Sequence, residues 1–248
     1  ATTFGGVPYT FEMLKKMRFL RMEFSSLKTV TQAGGKLSVE LSREFAEHAA
    51  SRDIRFFVMY GQTEATARMS YLHPGYALSK CGSIGVSIQG GEFSLVDGNA
   101  KVIDGYDMEG ELVYRGENVT LGYAESREDL AKGDEFGGVL YTGDIARRDQ
   151  DGFYYIVGRK KRFIKIFGNR VNLDETEQMI KELLPDCACC GIDDSMLVYV
   201  TEPRREKEVL QLITSRTGIH SSAFSVKVIS EIPRSLSGKT LYADLINR

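Results

Sequence analysis

The sequence places a hydroxyl and a carboxylate directly after a strand-like segment. The run Arg55–Tyr60 contains the aromatic and β-branched residues typical of a strand, and it stops at Gly61. Thr63 and Glu64 follow at once, so two groups able to bind a polar ligand stand at the end of this strand.

A second strand and a helix precede this segment. Residues 27–33 predict a strand that runs into Gly34 and Gly35, and Ser38 is a typical N-cap for the helix that follows. One face of this helix is apolar and consists of Leu41, Phe45, Ala46 and Ala49. The strand–helix–strand order predicts parallel strands joined by a right-handed crossover. Because parallel strands end at the same edge of a sheet, Gly34 and Gly35 are expected beside residues 61–64, where α/β proteins bind ligands.

Two other patterns follow along the chain. Short alternating runs at residues 92–97, 111–115, 138–142 and 152–157, separated by Gly, Asn and Asp turns, predict an antiparallel β region. Beyond Arg162, strand-like residues 163–167, 187–192, 196–201 and 225–229 alternate with helical patterns near residues 174–184 and 207–216. The acidic stretch at residues 174–177 is expected to cap the first of these helices.

These patterns predict a mixed α/β and β fold in three parts. Residues 1–76 are expected to form the C-terminal part of a parallel α/β subdomain, and residues 77–161 a small antiparallel β subdomain. Residues 162–248 are expected to form a small, mobile α+β C-terminal domain that is hinged near Arg162.

The composition is that of a globular protein and argues against two classes of partner. Hydrophobic residues make up 42% and charged residues 27% of the 248 residues, and the formal net charge is −2. This balance gives no sign of nucleic-acid binding or of attraction to an anionic membrane. No apolar run approaches the roughly 18–20 residues of a membrane span, and no signal peptide is recognised, so a cytoplasmic location is expected.

The cluster of Cys187, Cys189 and Cys190 favours a buried strand over a metal site. Zinc ligands usually occur as two spaced pairs, and only Cys81 remains to complete such a set. Free cysteine behaves as a small hydrophobic residue that is readily buried.

Five motifs occur in a fixed order across residues 60–239. They are Tyr60-Gly61-Gln62-Thr63-Glu64; Gly110-Glu111-Leu112 with Arg115-Gly116 and Gly122-Tyr123; Tyr141-Thr142-Gly143-Asp144; Gly158-Arg159-Lys160-Lys161 with Ile164-Lys165 and Gly168; and Pro233-Arg234-Ser235-Leu236-Ser237-Gly238-Lys239. In this order and spacing they resemble the adenylate-forming superfamily, which contains acyl-CoA synthetases, luciferases and the adenylation domains of peptide synthetases. The resemblance covers essentially the whole chain and corresponds to the C-terminal portion of the family.

The resemblance implies ATP-dependent activation of a small carboxylic acid to an acyl-adenylate, followed by transfer to a thiol. ATP and Mg²⁺ are the implied cofactors, and coenzyme A or the phosphopantetheine arm of an acyl carrier protein is the implied acceptor. Attack of a carboxylate on the α-phosphate concentrates negative charge, so catalysis depends on positioning and charge neutralisation.

The resemblance also implies a role for each candidate residue. Thr63 would hold phosphate, Glu64 would bind Mg²⁺, and Lys239 would neutralise phosphoryl charge from a mobile Ser-Gly loop of the small domain. Asp144 would accept hydrogen bonds from the two ribose hydroxyls, and Arg159 would steady ribose and phosphate. The whole implied nucleotide-binding set is Gly34, Gly35, Tyr60, Gly61, Thr63, Asp144, Arg159, Lys165 and Gly168.

Each candidate also has a purely structural interpretation. Glu64 could be a carboxylate at the start of a helix, Asp144 a turn residue and Lys239 a solvated lysine. The basic run at residues 159–162 could be a nucleic-acid or nuclear-import patch, which is disfavoured in a chain with a net negative charge. One residue at a time, the structural interpretation is favoured; the ordered set favours function.

The chain departs from the family pattern in three places. The family's first half, with its phosphate loop and most of its acyl pocket, is expected before residue 1, so the chain is interpreted as a fragment or a naturally short relative. Many members have Asp at the hinge position, where this chain has Arg162. The connection between residues 190 and 198 is shorter than is usual in the family.

Two classes of function therefore stay open. The first is an AMP-forming acid–thiol ligase, or part of one, with an aminoacyl-adenylating domain that serves a carrier protein as a variant. The second is a non-catalytic nucleotide- or partner-binding module built from the same half-fold. The acyl substrate is not specified, because its pocket is expected to lie largely upstream.

Overall fold

The computed structural model describes residues 1–235 and 238–246, and the chain divides into two compact units, Ala1–Val157 and Gly158–Arg248. The predicted class of mixed α/β and β structure is confirmed. The three-part division stays a prediction, and Leu236 and Ser237 of the fifth motif lie outside the described residues. Over these described ranges, no helix has the length and apolar character needed to cross a membrane.

The first unit begins with an α/β layer and continues into β structure. Its helices and strands are β1 (Thr3–Gly6), α1 (Pro8–Lys16), β2 (Thr29–Gln32), α2 (Val39–Ser51), β3 (Arg55–Tyr60), β4 (Ser70–Leu72), β5 (Val86–Ser87), β6 (Gly91–Val96), β7 (Glu109–Gly116), β8 (Val139–Arg148) and β9 (Tyr154–Arg159), the last of which runs past the unit boundary.

The strand–helix–strand prediction is confirmed in β2, α2 and β3. The sheet order is β1-β2-β3-β4-β5, with β1, β2 and β3 parallel and β4 and β5 added antiparallel. Ser38 caps α2, since its Oγ accepts a hydrogen bond from the Leu41 backbone N at 3.2 Å. The predicted apolar face of α2 is buried, and it packs with α1 on β3.

Aromatic packing holds the two helices against the sheet. The rings of Phe11 of α1 and Phe45 of α2 meet edge to face with centroids 4.8 Å apart, and Phe56 of β3 packs on both. All three side chains are buried, and each contributes roughly 1.5–3 kcal/mol through burial of apolar surface. This packing fixes the direction in which β3 presents its carboxyl end.

The antiparallel sheet β6-β7-β8-β9 contains a bulge that the sequence did not indicate. The register between β7 and β8 shifts between Glu111 and Val113, so residues 142–144 bulge opposite Leu112. Gly143 has φ +68°, a value that favours glycine. The predicted end of this strand at residue 142 is therefore wrong, because β8 continues through the bulge to Arg148.

The second unit is a small α+β structure. Its elements are β10 (Phe163–Ile166), β11 (Asn169–Asn172), α3 (Leu173–Lys181), β12 (Cys187–Ile192), β13 (Ser195–Val200), α4 (Glu206–Thr217), β14 (Phe224–Val228) and α5 (Tyr242–Ile246). β12 pairs antiparallel with β13, which pairs parallel with β14, while β10 and β11 form a separate hairpin. The predicted buried strand of cysteines is confirmed as β12, and burial raises the pKa of each of its three thiols.

The start of α3 differs from the prediction. The N-cap is Asn172, whose Oδ1 accepts hydrogen bonds from the backbone N of Asp174 at 3.0 Å and of Glu175 at 3.4 Å. Asp174 and Glu175 lie in the first turn, where carboxylates favour the helix dipole. Glu177, predicted as part of an acidic cap, instead faces inward and is buried.

The turn after β3 leaves no space for a side chain at Gly61. A Cβ there would lie 2.3 Å from the carbonyl carbon and oxygen of Ala67. Thr66 and Ala67 have φ values of +61° and +63°, so two consecutive non-glycine residues hold this turn in the left-handed region. The chain thus folds back tightly just beyond the end of β3.

We expect Gly61→Ala to destabilise the first unit. The new methyl group would push on backbone that cannot move aside cheaply, and overpacking of this kind costs typically about 1–3 kcal/mol. Gly133→Ala is the matched control, because a Cβ at Gly133 meets nothing within 4 Å. Chemical denaturation of both variants measures the difference, and equal stabilities would contradict the predicted close contact.

Candidate functional site

The glycine pair after β2 and the motif after β3 leave the sheet at the same edge. Gln32 of β2 lies opposite Val58 of β3 in the parallel register, so Gly34 and Tyr60 each lie two residues beyond this pair. The fully buried amide of Gln32 supports the loop, since its Nε2 donates to the carbonyl oxygen of Gly35 at 2.8 Å. Gly34 has φ +76°, which favours glycine there.

A buried carboxylate lies at this edge. Asp144 is only 4% exposed, although a carboxylate is costly to bury without hydrogen-bond partners. Its Oδ2 accepts a hydrogen bond from the Tyr60 hydroxyl at 2.6 Å and another from the Gln62 Nε2 at 3.0 Å. Two motifs therefore meet at one oxygen atom, although Tyr60 and Asp144 are 84 positions apart in the sequence.

The β-bulge in β8 orients Asp144. The Thr142 hydroxyl donates to the carbonyl oxygen of Leu112 at 2.7 Å and accepts from the backbone N of Asp144 at 3.1 Å. The Gln62 Nε2 also donates to the Thr142 carbonyl oxygen at 2.9 Å. Bulges often re-aim a side chain next to a functional site. Asp144 is therefore a strand residue that a bulge presents, and the alternative of an ordinary turn residue is wrong.

Glu64 is held by a tyrosine from another motif. Residues Thr63–Ala65 form a single 3-10 turn, and the Tyr123 hydroxyl donates to Glu64 Oε1 at 2.7 Å. This hydrogen bond to a carboxylate is the main cause that raises the pKa of Tyr123, so Tyr123 stays a donor. The Thr63 side chain is exposed beside it.

The surroundings of Glu64 fit a Mg²⁺ ion that is bound mainly through phosphate. Within the described ranges, no group of three His, Cys, Asp or Glu residues is placed to hold a metal ion. Mg²⁺ commonly takes one or two carboxylates, several waters and the phosphates of a substrate. A single, partly exposed carboxylate beside an exposed threonine hydroxyl suits this mode of binding.

The other predicted site residues belong to the second unit. Arg159 is the last residue of β9 and is exposed. Lys165 of β10 is also exposed, and its backbone N donates to Asp193 Oδ1 at 2.8 Å. Gly168 has φ +83° in the turn that joins β10 to β11. The described structure thus groups Tyr60, Thr63, Glu64 and Asp144 in the first unit, and Arg159, Lys165, Gly168 and Lys239 in the second.

Lys239 lies in a hairpin. The backbone N of Ser235 donates to the carbonyl oxygen of Lys239 at 2.8 Å, and the Lys239 backbone N donates to Ser235 Oγ at 3.2 Å. Arg234 and Thr240 form an antiparallel bridge at the base of the hairpin. The Lys239 side chain is exposed. The mobility of this segment stays a prediction.

Comparison with known proteins assigns the chain to a family. The family model described as AMP-binding enzyme matches residues 1–124. The chain belongs to the AMP-binding enzyme family. This membership, which the ordered motifs predicted, is confirmed over the part of the chain that carries Gly34, Gly35 and the Tyr60–Glu64 motif.

Individual relatives extend the match along the chain. The 4-coumarate–CoA ligase-like 8 protein of Arabidopsis thaliana is 29% identical over 238 residues, which are 91% of this chain and 42% of that protein. The structure of O-succinylbenzoate coenzyme A synthetase from Bacillus subtilis with ATP and magnesium has a TM-score of 0.76 at 21% identity, covering 99% of this chain and 51% of that one. The McyG A-PCP structure with phenylalanyl-adenylate has a TM-score of 0.73 at 21% identity, with 100% and 49% covered. The chain therefore spans about half the length or less of these AMP-binding family relatives.

Gln62, Thr142 and Tyr123 contribute to the site but had no role in the sequence-based interpretation. All three lie inside motifs that were recognised, beside the residues they support. Their position in the motifs was a signal, but only the fold shows which atoms they contact. Gln32, in contrast, precedes its glycine pair without any motif.

We expect Tyr60→Phe to destabilise the first unit of this AMP-binding family member. Removal of the hydroxyl would deprive the buried Asp144 of one of its donors, which costs roughly 1–3 kcal/mol. Tyr141→Phe is the control, because Tyr141 of β8 is 54% exposed. Denaturant titration of both variants checks this, and a Tyr60→Phe protein as stable as the control would mean that the bond to Asp144 contributes little.

Proposed function

We propose that this chain supplies the nucleotide-binding edge and the small lysine-bearing unit of an AMP-forming acid–thiol ligase. The observation that supports this most is the buried Asp144, which accepts hydrogen bonds from Tyr60 and Gln62. Burial of a cluster of polar side chains costs free energy unless the side chains are hydrogen-bonded, and such clusters often mark a functional site. The match to the AMP-binding enzyme family supports AMP as the nucleotide.

In the proposed reaction, the first unit binds and orients the nucleotide. Asp144 would accept hydrogen bonds from the ribose hydroxyls, and Tyr60 and Gln62 keep its carboxylate in place. The exposed backbone of Gly34 and Gly35 would allow the adenine to approach closely. Thr63 would donate to phosphate. Glu64, steadied by Tyr123, would be the protein ligand for Mg²⁺, which neutralises phosphate charge when it is bound.

The second unit would supply positive charge to the same reaction. Lys239 would act on the phosphoryl group as negative charge develops during attack by the carboxylate, an interaction that is stronger in the transition state than in the ground state. Arg159, Lys165 and Gly168 would contribute to binding of the nucleotide. In this step the carboxylate oxygen forms a bond to the α-phosphorus, the bond from the α-phosphorus to the pyrophosphate oxygen breaks, and pyrophosphate leaves.

The acceptor and the acid are proposed only as classes. The Arabidopsis relative is named as a CoA ligase, and the McyG structure contains a PCP domain with an aminoacyl-adenylate. We therefore propose a thiol acceptor, either coenzyme A or a carrier-protein phosphopantetheine arm, and a small carboxylic acid substrate. A binding module without catalysis is the competing outcome of the experiments below.

We expect Asp144→Asn to weaken AMP binding to this chain by about 1–3 kcal/mol. The amide keeps the shape of the carboxylate but loses the charge that would accept the ribose hydroxyls. Isothermal calorimetry with AMP measures the change, and Asp104→Asn is the control, because Asp104 is exposed in the same unit. Unchanged AMP affinity in Asp144→Asn would remove Asp144 from the site.

We expect Lys239→Ala to slow adenylate formation strongly while leaving nucleotide binding intact. Pyrophosphate exchange by the product of the complete reading frame that contains this sequence should fall by about two to three orders of magnitude, as for loss of one preorganised charge. Thioester formation from a supplied synthetic acyl-adenylate should survive.

Lys227→Ala, at an exposed position of β14 in the same unit, is the matched control. Equal losses in both half-reactions would show that Lys239 is structural. A protein that binds AMP but shows no exchange before any substitution would support the binding module instead of the ligase.

A further inference from the structure

Arg162, directly before β10, is buried within its own unit. Its side chain is 12% exposed, and its Nε donates to Asp174 Oδ1 at 2.7 Å. One terminal nitrogen donates to Glu177 Oε1 at 2.5 Å and the other to the carbonyl oxygen of Cys189 at 2.7 Å. Arg162 therefore forms hydrogen bonds to both α3 and β12, and its side chain is held in one place.

Tyr242 completes the surroundings of this guanidinium. The ring of Tyr242 lies 3.8 Å from the guanidinium carbon, within the range of a cation–π contact. The Tyr242 hydroxyl donates to Glu177 Oε2 at 3.0 Å, and Glu177 Oε1 also accepts from the backbone N of Cys189 at 2.8 Å. We call Arg162, Asp174, Glu177 and Tyr242 the arginine cluster.

The protonation states of the arginine cluster are consistent with these bonds. Burial alone would lower the pKa of Arg162, but the neighbouring Asp174 and Glu177 raise it, so the guanidinium stays charged. Burial and the adjacent Glu177 raise the pKa of Tyr242, so its hydroxyl stays a donor. Burial also raises the pKa of Glu177, and the adjacent Arg162 opposes this rise.

The arginine cluster adjoins one leg of the Lys239 hairpin. Tyr242 begins α5 directly after Leu241, whose backbone N donates to the carbonyl oxygen of Pro233 on the opposite leg at 2.9 Å. Tyr242 lies three positions after Lys239. The contacts that hold Tyr242 in place therefore also constrain the backbone of this leg of the hairpin.

A second charged contact holds the other leg. Arg234 donates to Asp186 Oδ1 at 2.9 Å, and Asp186 immediately precedes β12. Between the two contacts, the buried Ile232 and Leu245 pack with Ala188 and Tyr199 of β12 and β13. One leg of the hairpin is thus tied through Arg234 to the residue before β12, and the other through Tyr242 and Glu177 to β12 itself.

We propose that Arg162 is a positioning residue for Lys239, acting through Glu177 and Tyr242. The proposal rests on the role given to Lys239 under the proposed function. Arg162 connects the segment that follows the unit boundary to the base of the hairpin, so Lys239 would be held as part of a preorganised element. Preorganisation of a charged group avoids reorganisation during the reaction.

Tyr242→Phe and Arg162→Lys are the informative substitutions. Tyr242→Phe keeps the ring beneath the guanidinium and removes only the donor to Glu177. Arg162→Lys keeps the charge, but a lysine cannot reproduce the fork that reaches Asp174, Glu177 and the Cys189 carbonyl together. Arg216→Lys is the control, because Arg216 pairs with Glu182 at 3.6 Å and its side chain is 59% exposed.

The first measurement is amide hydrogen exchange by NMR on this chain, which needs no catalytic activity. The amides of Ser235 and Leu241 bond across the hairpin, so they report its order. We expect each of the two substitutions to accelerate exchange at these amides about tenfold, the factor for loss of one net hydrogen bond. Exchange in β13 and α4 should change little, and the control should leave all of these amides unchanged.

Two outcomes of this measurement would overturn the proposal. Unchanged exchange at Ser235 and Leu241 would show that the arginine cluster does not order the hairpin. Uniformly faster exchange throughout the second unit would show that the cluster only stabilises the unit as a whole.

The second measurement separates positioning from the proposed function itself. In the product of the complete reading frame, Tyr242→Phe should lower the kcat of pyrophosphate exchange about tenfold without changing the KM for ATP or the rate of thioester formation from supplied adenylate. A loss that appears only in the KM for ATP would contradict positioning of Lys239. Lys239→Ala could leave pyrophosphate exchange unchanged while the hydrogen-exchange result holds. The proposed catalytic role of Lys239 would then be wrong, and the ordering of its hairpin by Arg162 would stand.

Discussion

The polar site of the first unit depends on one buried carboxylate. Asp144 is almost completely enclosed, and an ionised carboxylate in that position is tolerated only with donors close at hand. Those donors come from the last residue of β3 and the turn after it, and the carboxylate comes from the middle of β8. The two sheets of the unit must therefore pack in an arrangement that brings the Tyr60 hydroxyl and the Gln62 amide to the same oxygen atom of Asp144.

Several local features serve this convergence. Aromatic packing of α1 and α2 on β3 fixes where the strand ends, and the tight turn at Gly61 sends the chain back immediately. The bulge opposite Leu112 turns Asp144 toward Tyr60, and the Thr142 hydroxyl satisfies the backbone groups that the bulge frees. The strained φ values of Thr66 and Ala67 lie in the same turn. Backbone strain that persists next to a buried polar group is typical of a ligand site.

Much of the fold could be predicted from the sequence, because hydrophobic periodicity carries that information. The α2 stripe, the β3 run and the cysteine strand each follow from local patterns that the structure bears out. The bulge at Gly143 could not be predicted, since it arises from the register of β8 against β7 and not from any local pattern. The inward turn of Glu177 was also missed, because an acidic residue of a predicted helix cap normally faces solvent. Its burial is compensated by donors that are distant in sequence, namely Arg162, Tyr242 and the Cys189 backbone N. The motifs identified the candidate site residues, whereas contacts such as Gln62 to Asp144 depend on the assembled fold.

The most direct test compares nucleotides that differ only in the ribose. If Asp144 accepts hydrogen bonds from the ribose hydroxyls, this chain should bind AMP about tenfold more tightly than 2′-deoxy-AMP or 3′-deoxy-AMP, and Asp144→Asn should bind the three nucleotides with similar affinity. Calorimetric titration under identical buffer conditions gives all six affinities. Equal affinity of the unsubstituted chain for AMP and both deoxynucleotides would contradict the account, because the buried carboxylate would then have no part in recognising the ribose.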